Sequence, residues 1–271
     1  MMIGLSRPTD GSIIINGIDI RKNLKKAQAV MGVVPDESNL YNELNGFENL
    51  CFCASLYGMR QAERKARAQW LLEQFCLSEA GDLPFRAYSK GMKRKLTIAA
   101  ALIHSPSILF LDEPTSGIDV ESARQIRKMI LNLKNSGTTV FITTHYIEEA
   151  ERICDRLAFI VKGKIIAEGS VSEFIESVSS GHVIRLVINQ NAKSVIPDLQ
   201  SRFTRCFIEA DSDHSLVIRS EQRLPLSPVI SYLHEKGIDV YEAKELLPSL
   251  EDAFVQLTGI SSVQFNREKE S

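Results

Sequence analysis

ILFLDEPTSGID, residues 108 to 119, decides how the rest of the chain is read. Its apolar run, Ile108 to Leu111, is too short for a helix and bounded by turn residues, so it reads as a buried strand. The run stops at two adjacent carboxylates, Asp112 and Glu113, and a Pro-Thr-Ser-Gly turn follows. Beyond the turn, Val120 to Asn135 carries helical spacing and Thr138 to Thr143 returns to strand. A strand, helix, strand unit implies a parallel sheet with right-handed crossovers. Ligands of such sheets bind outside the carboxyl ends of the strands, where the two acids emerge. Acids at that place suggest metal and water chemistry on a phosphate.

Bulk properties set the outer limits. A chain of 271 residues can bury a sizeable core and fill two domains at about 150 residues each. With 44% hydrophobic and 24% charged residues it has an ordinary globular composition. A net charge of -2 gives no global reason to expect nucleic acid or an anionic membrane surface as partner. Cys51, Cys53, Cys76, Cys154 and Cys206 are scattered and lack metal-knuckle spacing, so they read as reduced thiols in a cytosolic protein. No apolar run reaches the ~18 to 20 residues of a membrane span. A place at a membrane would therefore come through partner subunits.

Asn16-Gly17 within GSIIINGIDI predicts an antiparallel hairpin, and Gly163 within RLAFIVKGKIIAEG predicts a second. Residues 46 to 76 carry apolar positions at helical spacing, then a charged stretch with one solvated face. HVIRLVI, RCFIEA, SLVIRS and IDVYEA predict four short strands after residue 180, with helices near Ile196 to Phe203 and Ser227 to Glu235. Strand, helix, strand, strand, helix, strand is the split βαβ order of a small α+β sandwich. A last helix should start at the N-cap Ser249 and stop at Gly259. The expected division is 1–175 for the α/β portion, 176–260 for the α+β appendage and 261–271 for a polar tail. The appendage's His182, His214 and His234 form no ligand cluster, so its expected role is dimer contact or regulation.

Two further stretches bear on chemistry. In YSKGMKRKL, residues 88 to 96, Ser89 can cap a helix and Gly91 permits close backbone approach, so that helix end could receive phosphate oxygens. The plainer alternative is a capped helix with Lys93, Arg94 and Lys95 facing water. In VFITTHYIEEAE a strand ends at His145, from which an imidazole can reach a phosphate or an attacking water.

In their order and spacing these stretches resemble the nucleotide-binding subunit of ATP-binding cassette (ABC) transporters, over about residues 5 to 170. The resemblance implies an α/β, P-loop NTPase-like cassette with a helical subdomain and a small C-terminal domain of the exporter type. It implies ATP and Mg²⁺ as cofactors, with Asp112 as the Mg²⁺-linked acid and Glu113 as the catalytic base. His145 looks like the switch histidine, and Asp119 in SGID like the D-loop residue that crosses a dimer interface. Ser89 and Gly91 look like signature residues that contact the ATP of the opposite subunit. VVPDESNLYNELNGFENL resembles the Q-loop region, with Asp36 where the family has Gln; an oxygen ligand is kept and a negative charge added. Lys90 and Met92 replace the usual Gly and Gln of the signature.

Partners implied by the resemblance are membrane-spanning transporter subunits and a second cassette, as homodimer or heterodimer, with no nucleic acid. The implied location is cytoplasmic, peripheral on the inner face of the cell membrane. One element is missing: no G-x-x-x-x-G-K-[ST] occurs, since Gly163-Lys164 is followed by Ile165. MMIGLSRPTDGSIIINGIDI looks like family sequence immediately after that phosphate loop, so a truncation is expected. Charge-assisted hydrogen bonds contribute about 1.5 to 3 kcal/mol each, so losing about four removes on the order of 6 kcal/mol. At about 1.4 kcal/mol per decade that is roughly ten-thousandfold in ATP affinity. The alternative function is a non-catalytic partner that lends its signature motif to an intact cassette. A soluble cassette protein of translation or repair is a weaker third, since such chains carry two cassettes or a long coiled coil.

Overall fold

Why these residues form these elements is clearest at the turns. In the computed structural model, which describes residues 1–177, 182–220, 222, 224–246 and 249–259, Asn16 and Gly17 both take positive φ, 48° and 76°. A two-residue hairpin turn that follows the strand twist needs this. It joins β1 (Ile14–Ile15) to β2 (Ile18–Asp19) antiparallel. The polar tail expected at 261–271 lies outside the described residues. The chain divides into two compact units, Met1–Glu149 and Ala150–Ser271.

In the first unit, α1 (Leu24–Gln28) leads into β3 (Met31–Val34). The helical stretch expected over 46 to 76 is two helices, α2 (Gly46–Leu56) and α3 (Gln61–Gln74), broken at Gly58 with φ 74°. Asn45 and Glu48 make a reciprocal capping box at the start of α2. Then come α4 (Lys90–Ala101), β4 (Ile108–Asp112), α5 (Val120–Asn135) and β5 (Thr139–Thr143). Strands β3, β4 and β5 pair in that order, all parallel, as the strand, helix, strand pattern requires. Leu109 and Leu111 are buried on one face of β4, while Ile108 and Phe110 on the other pack against the cluster of Ile15, Ile20, Ala27 and Met31.

After α6 (Ile147–Ile153), β6 (Arg156–Val161) and β7 (Lys164–Ser170) form the hairpin expected at Gly163. Then follow α7 (Val171–Ser177), β8 (His182–Ile188), α8 (Ala192–Arg202), β9 (Cys206–Ser212), β10 (Ser215–Ser220), α9 (Leu226–Glu235), β11 (Val240–Leu246) and α10 (Leu250–Thr258). The sheet order is β11-β8-β10-β9 with every neighbouring pair antiparallel. Ile184, Leu186 and Ile188 alternate onto the buried face and meet Val195, Leu199, Val229 and Leu233 of the two helices. Helix α8 starts four residues before the expected Ile196, because the Asn191 side chain accepts from Lys193 N at 3.0 Å and caps it. Pro197 inside the helix hides that first turn from a reading by pattern. Ser249 and Asp252 form a capping box on α10, and Gly259 ends it at φ 68°.

Candidate functional site

The site grows from a register. Parallel pairing sets Asp112 of β4 beside Thr143 of β5, so both strands end at one level. Side chains of three successive residues, Thr143 to His145, then tie this level together. The Thr143 hydroxyl donates to Asp112 Oδ1. Thr144 Oγ1 donates to Glu149 Oε2 at 3.3 Å, and Thr115 Oγ1 donates to Oε1 of the same carboxylate at 2.5 Å. His145 Nδ1 lies 2.7 Å from Glu113 Oε1. Of the predicted residues, the structure therefore brings Asp112, Glu113 and His145 together.

Glu113 is held in a left-handed backbone conformation, φ 46°, which costs a non-glycine residue on the order of 1 kcal/mol or more. Its neighbours fix it there. Glu113 N donates to Thr143 O at 3.0 Å, and its carbonyl accepts from Ser116 N at 3.2 Å and from Arg94 Nη2 at 3.1 Å. The last donor is a surprise of the fold. Arg94 does not face water but is 3% exposed, reaching from α4 to Pro35 O and Asp36 O, each at 2.5 Å, and to Asp36 Oδ1 at 3.3 Å. Burial pushes the guanidinium pKa down, and the Asp36 carboxylate, then Asp112 and Glu113, oppose that shift. Asp36 is thus tied to the rear of the site through a buried cation.

The remaining predicted residues form a second group. Ser89 caps α4 by accepting from Met92 N at 3.2 Å, and it is exposed. Asp119 caps α5 by accepting from Ser122 N at 2.8 Å; this bond holds its carboxyl below the usual carboxylate range. Gly91 is buried between them: an added Cβ would stand 2.3 Å from Ser122 Oγ and 3.2 Å from Asp119 Oδ2. The close approach that glycine permits is here the approach of α4 to the start of α5.

Such an arrangement has definite chemical capacities. A carboxylate 2.7 Å from an imidazole can share the work of taking a proton from water. With Nδ1 engaged by Glu113, a neutral His145 leaves Nε2 as an acceptor. Among the described residues no group of three or more His, Cys, Asp or Glu could hold a metal ion. One exposed carboxylate, Asp112, nevertheless suits Mg²⁺, which takes one or two carboxylates, waters and substrate phosphates. Sequence reasoning missed Arg94, which only its plainer alternative considered, and then in water, and Glu149. The buried glutamate lay in plain view in HYIEEAE, but nothing in the pattern told Glu148 from Glu149.

Comparison with known proteins bears on this geometry. The family model described as ABC transporter matches residues 1–116. The linearmycin resistance ATP-binding protein LnrL of Bacillus subtilis (strain 168) is 31% identical over 264 residues, 96% of this chain and 84% of its own length. A Nod factor export ATP-binding protein I of Cupriavidus metallidurans is 34% identical over 259 residues, covering 96% and 82%. A solved ATP-binding subunit of an ABC transporter superposes with a TM-score of 0.59 at 30% identity, over 65% of this chain and 73% of that one. The dimeric, post-hydrolysis ATP-binding cassette MJ0796 bound to ADP and Pi gives 0.56 at 26% identity, over 61% and 75%.

Proposed function

The chain belongs to the ATP-binding subunits of ABC transporters, with the P-loop NTPase-like α/β fold of that family, and on that premise we propose that it serves an exporter by joining a second cassette around ATP and driving membrane-spanning partner subunits. The observation that carries this reading is the meeting of Asp112, Glu113 and His145 at the ends of two adjacent parallel strands. Export as the direction of transport rests on the names of the relatives, which act in drug resistance and Nod factor export.

Each residue has a role in the proposal. Asp112 would hold Mg²⁺ through its water shell, and the bound ion would supply positive charge to the phosphates. Glu113 accepts the proton of the attacking water, and His145 orients that carboxylate through Nδ1, while in a ring protonated on both nitrogens Nε2 donates to the phosphate. Ser89 and Gly91, with Asp119 beside them, face the nucleotide of the opposite cassette, whether a second copy or a different chain. Residues 1–175 act as the cassette and 176–260 as a dimerisation or regulatory appendage. The protein works at the inner face of the cell membrane through its partners and binds no nucleic acid.

The assignment is tested by Glu113→Gln in a chain fused to a relative's G-x-x-x-x-G-K-[ST] segment. Turnover should fall by more than about a hundredfold, the scale of a lost general base, while ATP still induces dimers. Turnover within twofold of the parent would overturn it. A second reading is a cassette that lends Ser89 and Gly91 without hydrolysing ATP, and it draws on the exposed cap of α4 at Ser89. Calorimetry on the 271-residue chain should detect no millimolar or tighter ATP binding. Binding that Asp112→Ala abolishes would show that another segment cradles the phosphates.

A further inference from the structure

Glu149 is 5% exposed, one of the few buried charged side chains. Its carboxylate accepts from Thr115 Oγ1 at 2.5 Å and Thr144 Oγ1 at 3.3 Å, and Arg127 Nη1 of α5 stands 3.8 Å from Oε1. Thr115 follows Glu113 by two residues, and Thr144 immediately precedes His145. Leaving a buried carboxylate in place is costly unless it is hydrogen-bonded and paired, and both conditions are met here. None of these four side chains is among the candidates for touching nucleotide. From these contacts we infer that Glu149 is a positioning residue, a clasp that locks the loop after β4 to the loop after β5 and so sets the spacing of the Glu113 and His145 pair.

The alternative, that the carboxylate only neutralises Arg127, accounts for one contact of three. A neutraliser at 3.8 Å needs no hydroxyl from either loop. Two threonine donors on one carboxylate fix both loops relative to one point, as a single ion pair does not. Tyr146 N also donates to Thr144 Oγ1 at 3.1 Å, so the hydroxyl is oriented at the very turn that presents His145. The inference rests on the proposed roles of Glu113 and His145, but its test requires no nucleotide.

That test is the side-chain ¹⁵N–¹H spectrum of His145 in the 271-residue chain, which reports whether Nδ1 is engaged by a carboxylate. Glu113→Ala, which removes the acceptor, supplies the reference for a disengaged imidazole. Glu149→Ala should move the His145 pattern most of the way to that reference. Thr115→Val with Thr144→Val, which removes both donors while keeping side-chain shape, should move it in the same direction and decides the matter if the alanine variant does not fold. Leu50→Ala, a core truncation on α2, controls for general loosening and should leave the pattern unchanged. His145 resonances unmoved by the threonine pair, or moved equally by Leu50→Ala, would overturn the clasp. Since no ATP enters the experiment, failure here leaves the hydrolytic roles standing, and failure of Glu113→Gln in turnover leaves the clasp standing.

Discussion

The two larger sheets differ most at the strands that carry the least burial. In the antiparallel sheet, β8 and β10 are inner strands with neighbours on both sides, and Leu186, Leu216 and Ile218 are fully buried beneath α8 and α9. In the parallel sheet, β5 pairs only with β4 among the described residues, and its residues alternate between exposed and half-buried, with Phe141 42% exposed. Parallel strands are ordinarily covered on both faces, so β5 is held less by packing than its inner counterparts are. The polar cross-links from Thr143, Thr144 and His145 sit at the end of this lightly packed strand. The inner strands of both sheets are held by apolar burial, and the outer strand β5 adds side-chain hydrogen bonds at its reactive end.

The largest effects should come from breaking the burial. Leu216→Ala, at a site with no exposure on β10, should cost about 3 kcal/mol by transfer loss plus cavity. Hydrogen exchange should show the loss in β8 and β10. In the unmodified chain the same measurement should find β5 amides exchanging faster than those of β8 and β10; the reverse order would break the comparison.

Next in size is Arg94→Met. It leaves the Pro35 and Asp36 carbonyls without their side-chain donor and takes one of two donors from Glu113 O, and unmet acceptors cost about 1 to 3 kcal/mol. The urea midpoint followed by Trp70, the only tryptophan, should fall accordingly. Arg94→Lys should recover less than half, because a compact ammonium cannot reach three carbonyls on separate segments as the guanidinium fork does. Full recovery by lysine would reduce Arg94 to a point charge.

Legibility in the sequence follows the same division. Strand ends, hairpins and caps were readable because each depends on neighbours in the chain: Asn16-Gly17, Ser249 with Asp252, and Ser89 four residues before Lys93. Helix α5 matches the expected Val120 to Asn135 residue for residue. Asp112, Glu113 and His145 were readable because each lies within two residues of a strand's end. Arg94 and Glu149 were not, since their partners lie 58 and 34 residues away and only the fold brings them near. A charged residue in a charged stretch looks solvated until a carbonyl on another element is placed beside it. The start of α8 lay four residues earlier than the pattern suggested for the converse reason: a local breaker, Pro197, is overruled by a cap and by burial of Val195 and Leu199.

A smaller effect concerns pH. His104 stacks on Tyr57 with centroids 3.6 Å apart, and its Nε2 meets Met31 O at 2.9 Å. Burial lowers its pKa, the bond to Met31 opposing only in part. A base with a depressed folded pKa is charged first in the unfolded chain, so its stability contribution is intact above the unfolded pKa of about 6.5 and is lost as pH falls from there through the folded value. The Trp70-detected midpoint should therefore drop between pH 7 and pH 5, and His104→Phe should flatten that drop. An unchanged slope would place the acid sensitivity elsewhere.

The smallest effect is expected at Asp119, and it separates the charge of a cap from its hydrogen bond. The side chain is exposed, so its pairing with Ser122 N is screened by water, and only the direction of the shift matters. Its folded pKa is depressed, so its contribution is present above the unfolded carboxylate range and is lost as pH falls through the folded value. Asp119→Asn keeps an oxygen for Ser122 N and should leave the neutral-pH midpoint nearly unchanged while removing its part of the acid-side slope. Asp119→Ala removes the acceptor as well and should lower the midpoint slightly at every pH above that range. If Asn and Ala behave alike at neutral pH, the start of α5 is held by the packing of Gly91 against Ser122 rather than by its cap. The contrast between inner strands fixed by burial and an outer strand fixed by polar contacts would then stop at the strand ends and not extend to the helix beyond them.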